Sequence, residues 1–189
     1  MSFLASNLSG DRPNSSRLPK ADTPFRRHHK YFFSDGNVTF LVDRTLYCVH
    51  RYFFSRDSAY FSTGLAQFDI RDHETLPTII SLDKIERNDF DAFLSVFYPS
   101  KLSDPFEEND RSYEQWKSVL HLSTRWGFAS MRKLALATIN PPTPYDRLLL
   151  ARTYSVDHWV VPALSALCEK AEPLPFSEAR EMTLGTSYS

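Results

Sequence analysis

Glycine is sparse in this 189-residue chain: it has five, and none falls in a G-x-x-x-x-G-K, G-x-G-x-x-G or G-x-S-x-G arrangement. Phosphate-cradling loops and the strained turn that exposes a nucleophilic serine are thereby excluded. Cysteine is rarer still. Cys48 and Cys168 lie far apart, which argues against a disulfide framework and for a reducing compartment. Cys48 falls in an expected strand, where a small apolar thiol packs well. His28, His29, His50, His73, His121 and His158 show none of the usual metal-ligand spacings, so neither a metal site nor a cofactor is expected. No sign of charge dominates: a formal net charge of −1 removes any global electrostatic reason to expect nucleic-acid or membrane binding. Long apolar runs are missing as well. The opening MSFLASNLSGDRPNSSRLPK has no charged region before its short apolar patch, and no later stretch approaches a membrane span. The expected location is cytoplasmic or nuclear.

What is present is a core. Hydrophobic residues make up 42% of the chain and fifteen are Phe, enough for one ordered domain, alone or with a small helical companion. Residues 1 to 27 are polar, basic and without periodicity and read as a disordered tail, so folding is expected to begin near Tyr31. Val38, Phe40 and Val42 alternate with Thr39 and Leu41, Asp43-Arg44 can turn the chain, and Leu46 to Val49 resumes the pattern: a hairpin. A short helix follows from His50 with Phe53 and Phe54 as its apolar face. Asp57-Ser58 ends it and caps the next, where Tyr60, Phe61 and Leu65 recur at helical spacing. Gln67 to Pro77 reads as a surface loop and Thr78 to Leu82 as a third strand. Asn88 or Asp89 then caps a helix with the core stripe Phe90, Phe93, Leu94 and Phe97, stopped at Tyr98-Pro99. After an acidic loop, Ser103 to Ser112, come a helix with Tyr113, Trp116, Val119, Leu120 and Ser123 that ends at Gly127, and another, Ala129 to Ile139, with Met131, Leu134, Ala135 and Thr138 on one side. Thr143 and Pro144 open a helix to about Tyr154. Asp157 to Lys170 forms the next, with Pro162 in its first turn, and Ser177 caps a last short helix toward Met182. Trp116, Trp126 and Trp159 are expected to be packing anchors. The sum is an α+β domain followed by helical pairs.

The ordered series Val49-His50-Arg51, the Phe53-Phe54 pair, Ser58-x-Tyr60-Phe61, Ile79-x-Ser81-Leu82, Phe90-x-x-Phe93-Leu94, Tyr98 and the two helices from Trp116 to Ile139 resembles the BTB/POZ domain from about Phe33 to Ile139. With TPYDRLLLARTYSVDHWVVPALSALCEKAEPL behind it, the chain is most similar to the BTB proteins of mushroom-forming fungi, whose C-terminal helices resemble a shortened BACK region. The resemblance implies a BTB/POZ fold, with a small three-stranded sheet flanked by helical hairpins and followed by C-terminal helices. Its domain plan is a basic tail at 1–27, the BTB/POZ domain at 28–139 and a BACK-like extension at 140–189. It also implies protein–protein association without catalysis or cofactor: a homodimeric adaptor or scaffold, with a cullin-type ubiquitin ligase as one partner. The alternative is a dimerising transcription- or chromatin-associated regulator with no ligase role. The chain has no zinc-finger spacing and no kelch-type repeat.

The residues that the resemblance places at a dimer interface are Asn37, Arg51, Tyr52, Phe53 and Tyr60, with a surface charge as the other reading of Arg51. The acidic residue that often opens the first strand falls on Asn37, whose amide cannot supply a charge for Arg51, although Asp35 lies within reach. The N-terminal segment lacks the apolar pattern of a strand and helix exchanged between subunits, so a helix-packed dimer is expected over a swapped one. Phe106, Glu107 and Glu108 form a hydrophobic-x-acid triplet that corresponds to a cullin contact; the other reading is a solvated acidic loop. His50 is assigned a structural role at the strand-to-helix junction, since a catalytic base needs a nucleophile and an orienting acid and no local motif supplies them. The basic run RRHHK, Arg26 to Lys30, is read as solubilising charge, or as a nucleic-acid contact or nuclear signal.

Overall fold

A computed structural model describes residues 25–66, 79–99 and 111–169. The chain divides into two compact units, 1–138 and 139–189. The first is built on the hairpin. Strand β2 (Val38–Val42) pairs antiparallel with β3 (Thr45–Val49), with Phe40 opposite Tyr47 and Val42 opposite Thr45. Asp43 and Arg44, at φ 42° and 59°, give the two-residue turn whose left-handed backbone matches the twist of the strands. Every second side chain of this ribbon, Val38, Phe40, Val42, Tyr47 and Val49, is buried.

Among the described residues the sheet has four strands, in the order β1-β3-β2-β4, where three were expected. The added strand is β1 (Arg26–Phe32), parallel to β3, and it holds the RRHHK run that reads as solubilising charge, with Arg26 and Arg27 from the expected tail. Its register shifts between Arg27 and Phe32; His28 and Tyr31 are buried while Arg26, Arg27, His29 and Lys30 are exposed. Spacing the inward residues three apart erases the two-residue alternation by which a strand is recognised. Strand β4 (Ile79–Ser81) lies parallel to β2 on the other edge.

Two short helices, α1 (Arg51–Asp57) and α2 (Ala59–Ala66), follow β3. Ser58 sits between them, accepting the Phe61 N–H (3.2 Å) and donating to the Trp126 carbonyl (2.6 Å). Helix α3 (Arg87–Phe97) starts from Glu86, not Asn88 or Asp89, and Glu86 makes no side-chain cap. Asp89 instead lies in the first turn, where a carboxylate suits the helix dipole, and accepts the Ser118 hydroxyl at 2.6 Å. Helix α4 (Tyr113–Arg125) opens with a reciprocal capping box between Ser112 and Gln115. Gly127, at φ 72°, lets the chain turn into α5 (Ala129–Thr138). On α5, Met131 and Ala135 face inward as expected, but Leu134 is 45% exposed.

The core of this unit is aromatic. Phe40, Phe54, Phe61, Phe90, Phe93, Trp126 and Phe128 are all buried, and edge-to-face pairs join sheet to helix, Phe40–Phe61 at 5.7 Å, and the helical segments to one another, Phe61–Trp126 at 5.3 Å and Phe93–Phe128 at 5.2 Å between centroids. Such pairs add to the area they bury.

In the second unit, α6 (Pro144–Thr153) has Thr143 as its cap, accepting the Asp146 N–H at 3.0 Å, and proline at its start. A 3₁₀ turn (Asp157–Trp159) leads into α7 (Val160–Cys168), which packs on α6. Trp116 and Trp126 are buried anchors, but Trp159 is only half-buried. The expected helix near 177–182 and the loops at 67–77 and 103–110 lie outside the described residues.

Candidate functional site

The junction between β3 and α1 gathers the polar residues singled out from the sequence. The segment joining β1 to β2 folds back along the end of β3: the Phe33 N–H donates to the Cys48 carbonyl (2.8 Å) and the Asn37 N–H to the Val49 carbonyl (2.9 Å). Gly36 makes the approach possible. A Cβ there would stand 2.7 Å from Cys48 Sγ and 2.8 Å from its carbonyl atoms. The path places Asp35 and Asn37 over the start of α1.

Each then takes a partner. Asn37 Oδ1 accepts the Arg51 N–H at 2.7 Å, satisfying one of the amides that a helix start leaves without an intrahelical acceptor. His50, at the N-cap position, makes no capping bond with its side chain. Its Nε2 lies 3.2 Å from Asp35 Oδ2, its Nδ1 3.0 Å from the Tyr98 hydroxyl, and its backbone N–H donates to the same hydroxyl oxygen at 3.0 Å. One tautomer serves all three: Nε2–H donates to Asp35, Nδ1 accepts the Tyr98 O–H, and the phenol oxygen accepts the His50 amide. The hydrogen bond from His50 holds the Asp35 carboxyl below its ordinary value.

Arg51 does not meet Asp35. Its Nη2 donates to the Leu65 carbonyl at 2.9 Å, in the last turn of α2, where a cation complements the helix dipole. The pairing of Asp35 with Arg51 considered from the sequence is therefore replaced by Asp35 with His50. Of the residues assigned to a dimer interface, Asn37 and Arg51 are engaged within the chain. Phe53 is half-buried, 5.4 Å from Phe97 and 5.5 Å from Tyr98, and Tyr60 is half-buried with its ring 5.2 Å from Phe61. Tyr52 is 62% exposed. The Arg56 guanidinium stands 5.1 Å over its ring while pairing with Asp57 through Nε (2.7 Å).

Acid, imidazole and hydroxyl in series invite comparison with a proton relay. The terminal hydroxyl, however, is a phenol whose pKa burial pushes up, and its ring is enclosed by Tyr31, Phe33 and Phe53. A cleft of about 780 Å³ lies elsewhere, along the β2–β3 turn and the loop before α3; Asp35, His50 and Tyr98 do not line it. Among the described residues, no cluster of His, Cys, Asp or Glu could hold a metal ion. What the junction does is fasten a strand, a loop and two helices together.

Phe106, Glu107 and Glu108 lie outside the described residues. Sequence reasoning gave Tyr98 no role at the junction, reading it as a helix stop and as one position of the family resemblance, and passed over Gly36. For Tyr98 no local signal exists, because its partner is 48 residues away. For Gly36 the position just before a strand was the available hint. The BTB/POZ domain family model matches residues 25–135. No curated protein matches the chain.

Proposed function

The chain belongs to the BTB/POZ family of protein–protein interaction modules, and on that premise we propose that it is a non-enzymatic, self-associating adaptor or scaffold. The observation that carries this reading is Tyr52, 62% exposed on α1 beneath the Arg56 guanidinium. Tyrosine and arginine are both among the residue types enriched where a few side chains dominate binding energy. Asn37 and Arg51 support it by tying the start of α1 to the segment before β2 and to the last turn of α2, Phe53 lies beside the Tyr52 ring, and Tyr60 is carried on α2. Sedimentation of the full chain tests the reading. A homodimer is expected, and Tyr52→Ala should weaken it by at least about thirtyfold, the effect of losing roughly 2 kcal/mol at such a residue. A monomer at high concentration would remove the self-association.

Phe106, Glu107 and Glu108 are in this reading the contact to a cullin-type scaffold, and residues 140–189 a short BACK-like extension of the kind found in mushroom-forming fungi. Co-purification of a cullin with the parent chain, lost in Phe106→Ala/Glu108→Ala, is the expected result; equal recovery by both sinks the ligase role. The alternative is a dimerising transcription- or chromatin-associated regulator, favoured by the exposed Arg26, Arg27, His29 and Lys30 of β1. Nuclear enrichment that depends on residues 1–30 would favour it. Among the described residues, no helix is long and apolar enough to cross a membrane.

A further inference from the structure

His28 is a titratable ring sealed into a strand. It is 3% exposed and packs in a cluster of rings, against Tyr31 (5.1 Å) and Tyr47 (4.7 Å), which themselves lie 6.5 Å apart, with His29 at 4.6 Å. Its Nδ1 accepts two backbone amides, from Lys30 (3.3 Å) and Tyr31 (3.0 Å), at the place where β1 leaves register with β3. The ring thus closes the irregular turn that carries β1 from Arg27 to Phe32. Its Nε2 lies 3.2 Å from Asp91 Oδ1 on α3, but without the alignment of a hydrogen bond. That oxygen already accepts the Tyr47 hydroxyl at 2.7 Å, and Arg87 stands 3.8 Å from the other.

We propose that His28 is a proton-sensitive latch: in its neutral form it closes β1 onto the sheet, and on gaining a proton it lets that edge strand go. A protonated Nδ1 becomes a donor facing two donors, so the Lys30 and Tyr31 amides lose their buried acceptor together. The groups around the ring oppose one another. Asp91 on α3 attracts the imidazolium; Arg87 on α3 and His29 on β1 repel it. Lys30 and Tyr31 flank it on its own strand, Tyr47 faces it from β3, and Arg111 ahead of α4 acts on the Tyr31 phenol. Burial outweighs Asp91 and holds the imidazole below its ordinary range, so the latch is shut near neutrality and opens in mild acid. Release uncovers the edge of β3, a row of backbone donors and acceptors open to another strand.

Amide hydrogen exchange followed by NMR on the full chain tests this. Between about pH 7.5 and 5, protection at Lys30, Tyr31 and Phe33 should fall by roughly tenfold or more, after correction for intrinsic exchange, while the β2–β3 ladder holds steady. His28→Asn places an oxygen near the Nδ1 position without a titrating group and should keep β1 protected throughout that range. His28→Phe keeps the ring cluster, lacks the acceptor and should leave β1 open at neutral pH. A flat profile in the parent chain, or the same fall in His28→Asn, overturns the latch. Should the variants fail to fold, the parent chain decides: β1 protection must decline as pH falls below the free imidazole value of about 6.5 and level off where the His28 ring takes up its proton, and a decline that begins only below that ring titration refutes it.

Discussion

Single atoms decide how the strand-to-helix junction is held. Gly36 lies against Cys48 so closely that a methyl group meets Sγ at 2.7 Å and the carbonyl atoms at 2.8 Å. The sulfur could turn aside, but the backbone carbonyl cannot without pulling β3. Gly36→Ala should therefore cost about 1–3 kcal/mol, read as a lower urea midpoint at unchanged slope. Ser58 poses the complementary case, a buried hydroxyl that donates to the Trp126 carbonyl and accepts the Phe61 amide. Ser58→Ala leaves both groups without a partner where water does not reach and should cost roughly 1–3 kcal/mol. A loss under a few tenths by chemical denaturation would mean that a water takes over both bonds. Asn37 separates two readings of one position. As a substitute for a charged partner of Arg51 it is deficient, but as the acceptor for the Arg51 amide it is sufficient. Asn37→Asp keeps that acceptor and should hold stability within about 0.5 kcal/mol, whereas Asn37→Ala should lose about 1 kcal/mol in the same melt.

Elements differed in how plainly they could be read in advance. The hairpin was legible because Val38, Phe40 and Val42 keep strict alternation and Asp43-Arg44 is a turn of the right length. The stripe of α3 was legible because Phe90, Phe93 and Leu94 recur at helical spacing, and all are buried. Strand β1 was not. Its inward residues are a histidine and a tyrosine three apart, its outward ones are basic, and its strand character comes from pairing with β3, which composition does not report. The junction was half legible: His50 read as structural, but Asp35 and Tyr98 reach it across the fold, and Arg51 turns to a carbonyl that no sequence pattern marks. Strands β1 and β3 also carry a pH signature on the alkaline side. Burial pushes the Tyr31 phenol up to about 12, and burial together with the bond to Asp91 raises Tyr47 as well. The unfolded chain releases these protons near the ordinary tyrosine value of about 10, while the folded chain keeps them. Their contribution is fully present below that pH and is lost as pH rises from about 10 through 12, because the folded state then holds more protons than the unfolded one. Melting followed from pH 9 upward should show stability falling over that window, and less steeply in Tyr31→Phe.

The two units set what the whole molecule can do with separate parts. The first contains the sheet, the aromatic cluster from Phe40 to Phe128 and the Tyr52–Arg56 surface. A buried phenylalanine side chain contributes about 1.5–3 kcal/mol, and this unit buries Phe40, Phe54, Phe61, Phe90, Phe93 and Phe128 together. The second unit is short, and its α7 leaves Val161 70% exposed and Leu164 36% exposed, three residues apart and so on one face of the helix. Either surface could hold two copies together, and truncation separates them. A chain ending at Thr138 should unfold in one cooperative step with a smaller denaturant slope than the full chain, in proportion to the surface it no longer buries. If Tyr52 and its neighbours form the interface, sedimentation of that shortened chain should show the same dimer as the parent, and Tyr52→Ala should dissociate both. A shortened chain that folds but stays monomeric would instead transfer self-association to the helices behind residue 138, with Val161→Ser in the full chain as the variant that should then abolish it.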